Sequence, residues 1–98
     1  MLSSKQVKYL KALAHPLKPI FQIGKAGLHE PVFSELDAAL ETRELIKISL
    51  LQNTLEDPHE AGARIARETH AELVQVIGRT LVIYRRSKEK QRIDLPRS

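Results

Sequence analysis

The chain has no cysteine and no tryptophan, and only two tyrosines, two phenylalanines and four glycines among its 98 residues. Without cysteine there is no disulfide and no thiolate-bound metal, so the fold must hold by its core alone. That suits a reducing compartment, and the cytoplasm is the expected location. Long apolar runs are missing as well. None approaches the roughly 18 residues a membrane-spanning helix needs. The opening stretch Met1 to Lys8 has no apolar core of the kind a secretion signal carries. No membrane partner is expected. Acid is absent from one region in particular: residues 1–28 hold five lysines and no Asp or Glu.

What is present fits a single domain. A chain of this length can bury roughly 60–65% of its unfolded surface, enough for one core without staples. With 42% hydrophobic and 29% charged residues it reads as soluble and globular. The net charge is +4, and its distribution says more than its size. Residues 29–84 carry five basic and ten acidic side chains, whereas residues 85–98 carry six basic and two acidic ones. Basic ends around an acidic middle imply two faces of opposite sign. A segregated basic face attracts polyanions, of which nucleic acid is the commonest. The plainer alternative is that basic termini only keep the protein soluble.

Local signals give the element order. Ser3 with Gln6 fits a capping box, and Val7, Leu10, Leu13 and Ala14 follow at helical spacing until Pro16 ends the helix. Pro19 to Ile23 reads as a short strand closed by Gly24. A second helix begins near Pro31, with Val32, Phe33, Leu36, Ala39 and Leu40 as its apolar stripe and Glu30, Glu35, Asp37 and Glu41 outward. Leu45 to Leu51 alternates as a strand, with Lys47 and Ser49 opposite Ile46, Ile48 and Leu50. Asp57 caps a third helix that starts at Pro58 and turns Ala61, Ile65 and one of Ala66 or Thr69 inward. Leu73 to Ile77 and Thr80 to Arg85 form a hairpin whose Gly78-Arg79 loop suits a type II′ turn. The expected fold is therefore α/β, in the order α-β-α-β-α-β-β, with helices covering a mixed four-stranded sheet. The domain spans residues 1–86. Residues 87–98 form a basic tail with little to bury, expected to be loosely ordered apart from Ile93 and Leu95.

The loop Gly24-Lys25-Ala26-Gly27 joins a strand to a helix. Its glycines allow positive φ and a close backbone approach, and the helix start places free N–H groups and a positive dipole end nearby. Lys25 adds a mobile charge. A phosphodiester fits all three, and a GxxG loop clamping nucleotide backbone is the device of KH modules. The plain alternative is an ordinary strand-to-helix turn. The loop is not a P-loop, since the GK[ST] ending is absent. Lys5, Lys8, Lys11 and Lys18, with Arg79, Arg85, Arg86, Lys88 and Lys90, are the candidate electrostatic footprint. Taken singly, each is as easily a solvated surface residue. Phe21 and Phe33 sit in core patterns, which leaves little for base stacking, so recognition should rest on backbone, shape and charge. His15, at a helix end, is expected to bond a terminal carbonyl through its ring. The four histidines make no metal-ligand spacing, and no serine sits in a nucleophile context. No catalytic residue, metal or cofactor is expected, and the chain is read as a non-enzyme.

Four segments together carry a family resemblance: Leu13-Ala14-His15-Pro16-Leu17-Lys18-Pro19, Ile23-Gly24-Lys25-Ala26-Gly27-Leu28, Glu44-Leu45-Ile46-Lys47-Ile48, and Ile77 to Arg86. In that order they resemble the CRM domain (chloroplast RNA splicing and ribosome maturation), and the chain is similar to its stand-alone bacterial YhbY-type members. The resemblance implies a two-layer fold similar to the C-terminal domain of bacterial initiation factor three. It implies RNA binding through Gly24, Lys25, Ala26 and Gly27, acting as in KH domains, and a link to precursors of the large ribosomal subunit. One departure is His29-Glu30-Pro31, where the family commonly has a threonine capping the helix. A weaker cap and a negative charge near the loop follow. The expected function is binding of ribosomal RNA by a monomer. The alternative is a protein-interaction module that docks a basic ribosomal protein on its acidic second helix.

Overall fold

The computed structural model describes residues 2–97 and holds the elements α1 (Ser4–Ala14), β1 (Phe21–Ile23), α2 (Glu30–Arg43), β2 (Leu45–Leu50), α3 (Pro58–Thr69), β3 (Glu72–Ile77) and β4 (Thr80–Tyr84). Both expected caps form. The Ser3 hydroxyl accepts the Gln6 N–H at 3.1 Å while Gln6 Oε1 takes the Ser3 N–H at 3.0 Å, completing the capping box. The Asp57 carboxylate accepts the Glu60 N–H at 3.0 Å. At the end of α1 the cap is made by backbone, not by the imidazole: the His15 N–H donates to the Lys11 carbonyl and the side chain is exposed.

The strands form one sheet in the order β1-β2-β4-β3. β1 pairs with β2 in parallel, and the β2–β4 and β4–β3 pairs are antiparallel. The mixed four-stranded sheet is as the pattern predicts. Gly78 has φ +57° and Arg79 stays at negative φ, as a type II′ turn requires. The hairpin folds β4 back into the sheet between β2 and β3, so the two strands joined through α3 run in the same direction without touching.

Alternation along the strands builds a core on each face. Ile46, Ile48, Leu50, Leu81 and Ile83 meet Phe33, Leu36, Leu40, Ala61 and Ile65 from α2 and α3. On the reverse face Leu10 and Ala14 of α1 pack on Leu45, Val74, Val82 and Tyr84. Each fully buried leucine, such as Leu10, Leu36 or Leu40, contributes roughly 2 kcal/mol. The two-layer description thus holds for α2 and α3 on the sheet, and α1 adds a partial cover on the other side.

The tail departs from the expectation. It is irregular but tied down. Glu44, fully buried at the end of α2 with φ +65°, accepts the backbone N–H groups of Ser87, Arg92 and Ile93, each at 2.7 Å. Glu41 takes the Ser87 hydroxyl at 2.7 Å and the Lys88 N–H at 3.0 Å. Gln6 reaches the Pro96 carbonyl at 3.0 Å. Ile93 and Leu95 pack on the second core, as anticipated for them. Burial opposes the charge on Glu44, but the three N–H groups outweigh it and hold its carboxyl below the usual range. The Lys88 N–H and the Ser87 hydroxyl do the same for Glu41. Ser98, the last residue of the tail, lies outside the described residues.

Candidate nucleic-acid interface

The Gly24–Gly27 loop is a closed turn. The Gly27 N–H donates to the Gly24 carbonyl at 3.0 Å, which presents Lys25 and Ala26 as an exposed tip. Gly27 has φ +70°, a conformation that favours glycine. Gly24 is held less strictly: an added Cβ would meet Asn53 Oδ1 at 3.5 Å and Leu51 at 3.6 Å, ordinary contacts. The loop already holds a carboxylate of its own. Glu56 accepts the Leu28 N–H at 3.1 Å, and its Oε2 lies 2.9 Å from where a Cβ on Gly27 would stand. The Gly27 and Leu28 N–H groups are therefore engaged internally, and the tip at Lys25 and Ala26 is what faces outward. Helix α2 begins after His29, whose side chain makes no capping bond, as the departure from the family pattern implies.

The hairpin sits at the same end of the sheet. The Leu51 N–H donates to the Ile23 carbonyl at 2.9 Å, and the Leu50 N–H to the Arg79 carbonyl at 2.7 Å. The Arg79 side chain closes this corner, with Nε on the Leu50 carbonyl at 3.1 Å and a terminal nitrogen on the Leu51 carbonyl at 2.9 Å. It braces the strand ends next to the loop and carries its charge there. Lys5, Lys8 and Lys11 are exposed on α1, Lys18 is exposed before β1, and Lys25 on the loop. None of these five pairs with a carboxylate among the described residues. Lys11 borders a cleft of about 320 Å³ between the end of α1 and the sheet, with His15, Lys47, Gln75 and Ile77.

Arg85 does not belong to this surface. It is 8% exposed and its guanidinium lies 3.4 Å from Glu41 and 3.7 Å from Asp37. The expected strand ran through Arg85, whereas β4 ends at Tyr84, and periodicity does not say which carboxylates a neighbouring helix brings. Arg86 is exposed, yet it lies beside Leu2, Gln6 and Tyr84 at the far end of the sheet. Two features were not anticipated. Glu56 reaches the loop from a segment that reads only as loop. The reverse face of the sheet is also partly bare, and the outward parity of Lys47 and Ser49 was the one signal of it. Among the described residues no helix is long and apolar enough to cross a membrane. No group of three His, Asp or Glu side chains is placed to hold a metal ion among them.

Residues 2–85 match the CRS1 / YhbY (CRM) domain. The chain belongs to the CRM domain family. A Bacillus subtilis relative named "Probable RNA-binding protein YqeI" is 45% identical over 96 residues, covering 98% of this chain and 100% of its own. A Haemophilus influenzae relative named "RNA-binding protein" is also 45% identical, covering 98% of this chain and 96% of its own. The solution structure of the hypothetical protein SAV1595 from Staphylococcus aureus matches at a TM-score of 0.81 and 51% identity, over 98% of this chain and 100% of that one.

Proposed function

We propose that this CRM protein binds ribosomal RNA or pre-ribosomal particles in the cytoplasm and assists large-subunit assembly, without catalysing a reaction. The observation that carries the reading is the exposed Lys25-Ala26 tip, set at the same sheet end as Arg79 and followed around the molecule by lysines that pair with no described carboxylate. Two relatives at 45% identity, both named for RNA binding, support RNA as the polyanion. The acidic helix α2 is a poorer dock for a basic protein than its composition suggested. Glu41 is taken up by Arg85 and the tail, and Asp37 lies 3.7 Å from Arg85 with its side chain half exposed, beside the exposed Glu30 and Glu35.

Crosslinking in cells followed by sequencing of the bound RNA tests the reading. Reads enriched, relative to total cellular RNA, in large-subunit ribosomal RNA and its precursor are expected. Reads spread over RNAs by abundance would overturn it. On purified ribosomal RNA, contact with about five phosphates gives a slope of log K against log salt near −3 to −5.

A further inference from the structure

We propose that the uncovered half of the sheet is a second RNA-contact surface, which reads the ribose hydroxyls of an A-form duplex. The proposal rests on the RNA-binding reading above and adds the form of RNA recognised.

Strand register carries the argument. Gln22 pairs with Ser49, Ser49 with Thr80, and Thr80 with Ile77. These four side chains form one transverse row across the whole sheet, about 4.8 Å from strand to strand. The row lies on the face opposite the main core, because its chain neighbours Ile23, Ile48, Leu50 and Leu81 all point into that core. Helix α1 covers the other half of this face, over Leu45, Val74, Val82 and Tyr84, and stops short of the row. Gln22 and Ile77 are exposed, and Ser49 and Thr80 half-buried. The row begins two residues before Gly24 and ends beside the Gly78-Arg79 turn, so it is continuous with the loop surface.

Its chemistry matches ribose better than base. Gln22, Ser49 and Thr80 each offer a donor and an acceptor, and Ile77, 51% exposed, offers an apolar contact. Lys47 stands in the next row, its Nζ bonded to the His15 carbonyl at 3.3 Å, and Lys11 faces it across the cleft. Neither row contains a carboxylate, so the local field favours a polyanion. Neither contains an aromatic ring, so unstacked bases have no platform here. An A-form duplex instead presents a wide, shallow minor groove lined with 2′-hydroxyls, which a shallow hydrogen-bonding row can meet.

The test uses the full chain and a 20-base-pair RNA duplex, the DNA duplex of the same sequence, and the RNA single strand, at one salt concentration. The parent should prefer the RNA duplex to the DNA duplex by about tenfold, the loss expected when roughly two hydrogen bonds to hydroxyls vanish. The double variant Ser49→Ala, Thr80→Val should keep its melting temperature and salt slope while that preference falls below about threefold. Gln22→Ala, on the edge strand, tests the same row if the hairpin is disturbed, and should lower the preference in part. Equal binding of RNA and DNA duplexes by the parent, tighter binding of the single strand, or a preference untouched by the variants would overturn the proposal. If the parent binds ribosomal RNA and an Ala26→Asp protein does not, those outcomes sink this inference alone. If the parent binds no nucleic acid, the RNA-binding reading falls with it.

Discussion

At the end of the sheet where β4 runs out at Tyr84, Arg85 and Glu44 are turned inward while Arg86 stays exposed. Arg85 faces Asp37 and Glu41, and the Glu44 carboxylate is wrapped by three backbone N–H groups of the tail. At the other end, where β1 enters the Gly24–Gly27 loop, Lys25 faces water and Arg79 reaches only backbone carbonyls. Both ends are rich in basic residues, and composition does not tell them apart. The difference lies in whether a carboxylate is within reach. The 28 N-terminal residues contain no acid, so their lysines have no local partner. The C-terminal segment follows β4 onto the acidic helix and is drawn into it. At one end Arg85 meets carboxylates, and at the other Lys25 and Arg79 meet none among the described residues.

The strongest blow to this contrast falls on the Tyr84 end. Glu44→Ala removes the acceptor of three hydrogen bonds and leaves their donors buried around a void. Alanine at φ +65° keeps the backbone strain, so the change isolates the carboxylate. A loss of about 3 kcal/mol is expected, lowering the melting temperature by more than ~10 °C, while RNA affinity of the folded fraction stays within about twofold. A stable variant with a normal melt would show that the tail holds without its clamp.

Acid should open the same clamp more gently. The folded-state pKa values of Glu44 and Glu41 lie below the unfolded ones. Their contribution is therefore complete above the ordinary carboxylate range and is lost as pH falls through and below it. Amide exchange at Ser87, Lys88, Arg92 and Ile93 should accelerate there, relative to its intrinsic rate, before exchange in β2 and β4 does. Simultaneous loss of protection everywhere would mean that the tail has no separate transition.

The lysine face of α1, which runs from beside Arg86 at Gln6 to the cleft by Ile77 at Lys11, is tested by charge reversal. Changing Lys5, Lys8 and Lys11 together to Glu should weaken RNA binding at least about tenfold and flatten the salt slope. Exposed substitutions of this kind usually shift stability by no more than ~0.5 kcal/mol each, so the melt should change little. Unaltered binding by the folded triple variant would make this helix face a solubilising surface only.

How far these regions were legible in the sequence follows from what each depends on. The capping box at Ser3, the Asp57 cap and the Gly78 turn depend on neighbours within three residues, and all three form as read. The parity of β2 was legible because period-two alternation is local. The row from Gln22 to Ile77 was not, since it needs β4 seated between β2 and β3, a fact of strand order. Arg85 was misplaced for the same reason, as its partners lie 44 and 48 residues away in the chain. The tail was hidden by another cause. It docks mainly through backbone N–H groups, which every residue but proline carries and no composition reveals. The loop itself was legible as a motif, but Glu56, 28 residues beyond Leu28, was not.

Glu56 also decides how the loop should be probed. Gly27→Asp would force φ +70° on an aspartate and press it against a carboxylate 2.9 Å away, so a binding loss would be entangled with strain. Ala26→Asp avoids both. Ala26 is at the exposed tip, away from positive φ, and the new charge would stand at the proposed phosphate contact. A loss of about tenfold is expected, with the melting temperature unchanged within ~2 °C. Full affinity would reduce the loop to a turn.

Lys25→Ala should have the smallest effect, and it separates the loop's charge from its backbone. The substitution deletes one cation from the tip and leaves the Gly27-to-Gly24 hydrogen bond and both glycines in place. If Lys25 contacts one phosphate, the salt slope should lose about one unit or less, and affinity near physiological salt should fall about three- to fivefold. That is less than Ala26→Asp, because deleting an attraction leaves the backbone approach intact while an added carboxylate opposes it. The order of the two variants is the informative result. A larger loss for Lys25→Ala would make the loop a tether for one ammonium, and the glycines would then serve the turn alone. The expected order supports a surface on which phosphate meets the backbone of Lys25 and Ala26 directly, with the lysine adding attraction from the side.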